Sequence, residues 1–540
     1  MPNRISCSIL AVLLILPSVR SAAARAKTTP SREESRHKAA RALVDAVLTN
    51  MSAGIDVGEL ATLEVNGTEI SEDLVENDHP ATPPFYTRSV TKIRRAWDFR
   101  LNLSKTDRET DVQPNDTIYF LGERSVTFRG PAADRKRTVG LATPCWLVSD
   151  PIGSLRLARD APDLTLEADT TFHGVPQHVL AFRQGSYPVR IFIGASSLLP
   201  TATEAVIALD DQRVPEAIAW NAMGDITERS EFMNWSWSGG IRYPLQQDEF
   251  RNGDLYRTLA ISTFRVNTSV DATEAEFKPS DQFAPASVQD FGPNSRVPGP
   301  YPNKPISEIE DGVIQIPNSW YTTIVRQDDG LVIIDAPISS GYSKGVLAEA
   351  ERRYPGMPVK ALITSTGFFW HVGGVREYAA RGIPIYADTS NMPVINRILS
   401  SAHTLVPDRL ARSGHRRVRI VPVSRPMKIG NGRNAISIFP VTMATQPMLM
   451  TYIGNSKLLH TGEMVQPLGP GGAFLFPESL IELIDTVRRY HLTPRTIIGM
   501  HMSPHSWEDV SIAAMSAGVK RPDYTVADPL QSKATSRQSR

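Results

Sequence analysis

The chain has 540 residues, 41% of them hydrophobic and 21% charged, an ordinary globular composition with room for two or three domains. Its 58 basic and 57 acidic side chains nearly cancel, which excludes the cationic excess that nucleic acid or an anionic membrane surface would reward. Two cysteines, Cys7 and Cys145, cannot build a disulfide framework.

The N-terminus reads as a secretory signal peptide over residues 1–26. Arg4 precedes an apolar run from Ile9 to Leu16, Pro17 follows, and small residues at Ala22, Ala24 and Ala26 offer cleavage sites. That run is too short to span a bilayer as a helix, and no other segment is long and apolar enough to do so. Cleavage removes Cys7, so the exported chain must be held by its hydrophobic core.

Within a first domain at 33–271, residues Ser35 to Leu48 place Ala40, Val44 and Leu48 at helical spacing. Short alternating segments follow, among them Thr117–Leu121, His178–Phe182, Val189–Ile193, Gly240–Tyr243 and Arg257–Phe264. Asn252-Gly253 is a strong hairpin signal and Gly239-Gly240 a second. The domain is therefore mostly antiparallel β. By pattern more than motif it resembles the half-barrel of periplasmic lipoprotein carriers, in which Trp220, Trp235 and Trp237 would line an apolar concavity; simple core packing is the competing role. Residues 272–306 carry seven prolines and read as an extended linker.

From Gly312 the chain alternates strand and helix. Leu331–Ala336 and Val359–Ile363 are predicted strands, Tyr342–Tyr354 a helix, Gly373–Arg381 a second helix and Pro384–Tyr386 a short strand. Strands at Ala435–Phe439, Leu449–Ile453 and Leu458–His460 precede a helix from Pro477 to Tyr490, and the tail from 517 to 540 is polar. Such alternation implies layered sheets covered by helices over 307–516.

The loop Thr364-Ser-Thr-Gly-Phe-Phe-Trp-His-Val-Gly-Gly374 leads into a helix with Arg376, Glu377 and Tyr378. Later come Thr404-Leu-Val-Pro-Asp-Arg-Leu410, Leu459-His-Thr-Gly-Glu-Met464 and Gly499-Met-His-Met502. In order and spacing, Gly312 to Trp507 resembles the metallo-β-lactamase superfamily, specifically an exported branch with Gly-Gly-x-Arg-x-Tyr and Thr-Leu-x-Pro-Asp-Arg-Leu segments. The resemblance implies an α/β fold, a C-terminal αββα sandwich preceded by the antiparallel β domain.

It also implies a two-zinc hydrolase, but most of the ligands are missing. Where the family reads His-x-His-x-Asp-His, this chain has Thr366, Phe368, Trp370 and His371, and Ala444 falls at a further ligand position. Thr366, Phe368, Trp370 and Ala444 are not zinc ligands. His371, Glu463 and His501 remain, enough for one cation with open positions. Glu463 stands where the family has Asp, and its extra methylene shifts the carboxylate by about 1.5 Å, whereas metal distances tolerate about 0.2 Å.

Two functions follow. One is a pseudoenzyme or binding protein with no cofactor, taking a small or apolar ligand. The other is a reduced hydrolase of an ester, lactone or amide, with one zinc or other divalent metal on His371, Glu463 and His501. Without a metal these three side chains are expected as loop or surface groups.

Overall fold

The computed structural model describes residues 32–73, 87–109, 115–130, 135–209, 220–281, 305–317, 320–413, 418–443, 446–466 and 477–516. The signal segment, most of the Pro-rich stretch and the polar tail lie outside them. No helix among the described residues is long and apolar enough to cross a membrane.

The first domain is one antiparallel sheet of 14 strands among the described residues, running from Thr62–Asp73 to Asp254–Val266. Both hairpin signals turn as expected. Asn252 and Gly253 take φ of 52° and 89°, and Gly239 and Gly240 take 57° and 83°, left-handed values that Gly and Asn reach most easily. Helices α1 (Arg32–Asn50) and α2 (Pro151–Asp160) bury their apolar residues on one face of this sheet. Ala40, Val44 and Val47 of α1 and Ile152, Leu155 and Ala158 of α2 meet Leu63, Val65, Trp97, Tyr243 and Phe264. Asp150 caps α2 through Gly153 N–H at 2.6 Å and takes the Tyr243 hydroxyl at 2.6 Å.

The three tryptophans divide. Trp220 is core, Trp235 packs at its margin, and Trp237 is 51% exposed with the Arg242 guanidinium over its ring. The start of the Pro-rich stretch also packs: Ala275 is buried with Leu103, Tyr119 and Val126, so residues 272–277 continue the first domain's surface.

The second domain has two facing sheets, with seven strands in one and six in the other among the described residues. In the first, Gly330–Ile334, Val359–Ile363, Ile385–Asp388 and Ile420–Val423 run parallel. A strand in such a layer is buried on both faces, hence its unbroken apolar run. Leu331 and Ile333 point to the helices, whereas Val332 and Ile334 pack between the sheets on Ile436, Ile438, Leu449 and Leu458. Helices α3 (Ser340–Arg353), α4 (Phe369–Val372), α5 (Val375–Ala380), α6 (Met392–Ser400) and α7 (Arg409–Ser413) lie on the seven-stranded side. Helices α8 (Pro477–Arg489) and α9 (Trp507–Ser516) cover the six-stranded sheet. This is the expected αββα sandwich. The helix predicted at Gly373–Arg381 is α5, slightly shorter than expected, while the short α4 before it and α6, α7 and α9 were not foreseen.

The domains are joined at one corner. The turn Asn221–Met223 packs against α4 and α6, with Ala222 and Met223 buried. Asp225 N–H donates to Ala402 O at 2.7 Å, and its carboxylate accepts from Thr404 N–H at 2.8 Å, the Thr404 hydroxyl, and Leu405 N–H at 3.0 Å. Gly224, at φ 66°, lets the chain pass: a Cβ there would sit 2.0 Å from Ala402 O.

Candidate metal centre

The strand Val359–Ile363 ends in a loop pinned from several directions. Ser365 N–H donates to Asp335 Oδ1 at 2.7 Å, Leu449 N–H to Ser365 O at 2.8 Å, and Phe368 N–H to Thr366 Oγ1 at 3.0 Å. One short turn later α4 presents His371. Its approach needs both following glycines: a Cβ on Gly373 would lie 2.4 Å from Ile338 O, and one on Gly374 2.0 Å from Ser343 Oγ. Only hydrogen fits there.

Glu463 and His501 arrive on separate turns of the six-stranded sheet. Gly462, at φ 61°, reverses the chain after Leu458–His460 and aims Glu463 inward. Met500 N–H donates to Gly462 O at 2.8 Å, which clasps the turn before His501 onto the turn before Glu463. Gly499 permits this contact, since a Cβ would come 2.8 Å from Gly462 O.

The three side chains converge. His371 Nδ1 lies 3.1 Å from Glu463 Oε2, and His501 Nε2 lies 3.4 Å from Glu463 Oε1. One potential ligand atom from each falls within 4.8 Å of the others. Gln466 Nε2 donates to Glu463 Oε1 at 3.0 Å, and Thr366 Oγ1 lies 3.4 Å from His371 Nδ1. His371 and Glu463 are fully buried, whereas the His501 side chain keeps 19% exposure. Glu463 is thus neither a surface nor a helix-end carboxylate, and His371 is held by Glu463 and Thr366 in place of its loop glycines. The longer side chain of Glu463 does not keep the donors apart.

Aromatic rings wall the cluster. Phe368, 2% exposed, meets the His371 ring edge-on at 5.4 Å, and the Trp320 ring lies 6.1 Å from it. The Trp370 side chain and Ala444 lie outside the described residues. His505 is on the strand Met502–Ser506, bonded to Ser503 O.

Burial favours the uncharged form of each group, and the balance of partners sets the outcome. For His371 burial dominates over the attraction of Glu463, and its pKa falls below the usual imidazole range. Burial alone would raise Glu463, but His371 and His501 together hold it down to about 2. Neutral His371 beside an anionic carboxylate is the ligand form of both side chains.

Ligands about 2.1 Å from a tetrahedral zinc stand about 3.4 Å apart, and the three donors here come within 4.8 Å of one another, with His371 and His501 on different oxygens of Glu463. The residues present fit one cation. Thr366 and Phe368 beside them add only a neutral hydroxyl and a hydrocarbon ring, and no second group of three such donors occurs among the described residues.

Two facing sheets, helices on both outer faces, and a donor cluster on the loops at one sheet edge decide the architecture. The C-terminal unit is an αββα sandwich. Comparison with solved structures returns partial matches at low identity. A metallo-β-lactamase from Pontibacter korlensis is 14% identical, with TM-score 0.29, and the match covers 40% of this chain and 99% of that one. DIM-1 metallo-β-lactamase is 14% identical over 39% of this chain and 97% of its own, with TM-score 0.29. The stereoselective inverting sec-alkylsulfatase Pisa1 from Pseudomonas sp. is 15% identical over 39% of this chain and 40% of its own, with TM-score 0.30. No family model and no curated protein matches the chain. In this sandwich, sequence reasoning named all three clustered side chains. It placed His460 three residues before Glu463 and facing the same pocket, but it did not name Gln466 or Trp320 or pair His460 with Asp335, because no short motif marks such supporting groups.

Proposed function

We propose that the protein is an exported metallo-β-lactamase-fold protein that holds one divalent cation on His371, Glu463 and His501. It binds a small apolar ligand there and does not perform two-metal hydrolysis. The observation that carries this reading is Glu463: a fully buried carboxylate meets an imidazole on each oxygen, at 3.1 and 3.4 Å. A bound divalent ion supplies Lewis acidity. His371 and His501 give neutral nitrogens, Glu463 gives the compensating charge, and Gln466 fixes one carboxylate oxygen. The Phe368 and Trp320 rings lie against His371 and make its surroundings apolar. Export rests on the N-terminal sequence, and the N-terminus of the mature chain recovered from a producing cell tests it.

The second reading is a one-metal hydrolase of an ester, lactone or amide. What favours it is His501, whose partial exposure opens a route from solvent to the cluster. Metal analysis of the purified mature chain by native mass spectrometry, with a panel of such substrates assayed with and without EDTA, separates the two. One equivalent of metal with no chelator-sensitive turnover is expected. Turnover abolished by EDTA and by His371→Ala or His501→Ala would establish the hydrolase instead, and a metal-free protein would end both.

A further inference from the structure

Directly behind Glu463 lies a second buried polar pair that the cation site does not use. Asp335 ends the strand Gly330–Ile334 with φ 70°, a left-handed value costly for a non-glycine residue. It is 1% exposed, and its Oδ1 is committed to Ser365 N–H. Its other oxygen faces His460, also 1% exposed, with Oδ2 and Nε2 separated by 3.7 Å. Neither atom has a hydrogen-bond partner among the described residues.

The opposite side of the His460 ring assigns its tautomer. Nδ1 accepts from Gly462 N–H at 3.1 Å, so the ring proton resides on Nε2 and points at Asp335. A 3.7 Å gap is too long for a direct hydrogen bond. One water to the side of the line between Oδ2 and Nε2 reaches both atoms at a sharply bent angle, donating to Oδ2 and accepting from Nε2–H, with buried polar partners. The links on either side complete a chain across the sandwich. Asp335 and Ser365 belong to the loops of the seven-stranded sheet that lead to His371. His460 and Gly462 form the turn of the six-stranded sheet that delivers Glu463, and Gly462 packs on the Ser365 side chain, where a Cβ would come within 3.0 Å.

We propose that His460 is a positioning residue for Glu463, tied to Asp335 through one internal water, so that this pair sets the carboxylate's angle toward the cation. The proposal rests on the one-cation reading for its effect on metal binding, but the bridge and the tautomer belong to the protein alone.

The test has two arms. In the first, a high-resolution crystal structure of the metal-free protein and 15N NMR of its histidines report on the pair without any ion. A water between Asp335 and His460, with protonated Nε2 and bare Nδ1, is expected; direct contact, an empty gap or the other tautomer overturns the proposal. In the second, cobalt(II) is titrated into wild type, His460→Ala, His460→Asn and Asp335→Asn, with the visible spectrum and chelator competition read together. His460→Ala is expected to bind 10- to 100-fold more weakly with an altered spectrum. His460→Asn, whose amide oxygen still accepts from Gly462, is expected to recover part of the loss. Wild-type spectrum and affinity in His460→Ala would overturn the positioning role. Cobalt binding to none of the four proteins, including wild type, would instead refute the one-cation reading and leave the first arm to decide the bridge.

Discussion

Arg376 and Asp408 form a buried, two-point ion pair: Nε lies 2.5 Å from Oδ2 and Nη2 lies 3.1 Å from Oδ1. The guanidinium also donates to the carbonyls of Ile398, Leu399 and Ser401, closing the C-terminal end of α6. Beside it Glu377 accepts from Arg409 and Arg381 at 3.0 Å. The Gly-Gly-x-Arg and Pro-Asp-Arg segments, separate in sequence, are therefore two halves of one electrostatic joint that seats α5 against α7 next to the His371 loop.

Removing one half of a buried pair strands the other charge. Arg376→Ala and Asp408→Ala are each expected to cost about 3–5 kcal/mol in urea denaturation. The double variant should cost much less than the sum. Additive losses in that cycle would show that the two side chains act independently.

Metal removal gives a direct measure of the candidate centre. At a free cation concentration of 100 times Kd, binding to the folded state alone adds about 2.7 kcal/mol. EDTA should lower the melting temperature of the wild type, and His371→Ala or His501→Ala should lose that response. An identical melting curve with and without EDTA in the wild type contradicts the cation.

Asp225→Ala removes the acceptor for two backbone N–H groups and one hydroxyl of Thr404 and Leu405. A loss of about 2 kcal/mol is expected. Hydrogen exchange should accelerate at the Thr404 and Leu405 amides before it does in the sheets. Unchanged exchange at those amides would mean that this corner is held by the apolar turn alone.

His403 gives the corner a pH dependence. Burial, reinforced by Arg376, pushes its pKa down to about 4, against the pull of Asp408 and Asp225. An unfolded histidine titrates near 6.5. Between those values the unfolded chain binds a proton that the folded chain refuses, so stability falls as pH drops from about 6.5 to about 4 and is unaffected by this group above that window. Denaturation midpoints compared at pH 7 and pH 5 should show this decline, and His403→Gln should reduce it. An equal decline in the variant would assign the effect to other groups.

Strands were the most legible elements. Val359–Ile363 and Leu458–His460 have the bounds their short, mostly apolar runs predict, since both sit mainly in the buried layers. The edge strands and the helices α6, α7 and α9 were missed. Met392–Ser400 begins after a polar Asp-Thr-Ser-Asn turn with proline inside its first turn, a start signal that is easily taken for a loop. Among site residues, His371, Glu463 and His501 were found by motif. The burial of Glu463 was not, since a lone glutamate in sequence looks like a surface group until a turn directs it inward.

The sequence alone determined layered sheets covered by helices and the inability of Phe368 to act as a ligand. Both are properties of residue type and order: strand-helix alternation selects the layers, and a hydrocarbon ring cannot donate a lone pair wherever it sits. Whether the remaining donors meet was decided only by tertiary structure. Coordination depends on a few tenths of an ångström, and here that distance is set by backbone reversals at Gly462 and Gly499 drawing together segments from two sheets.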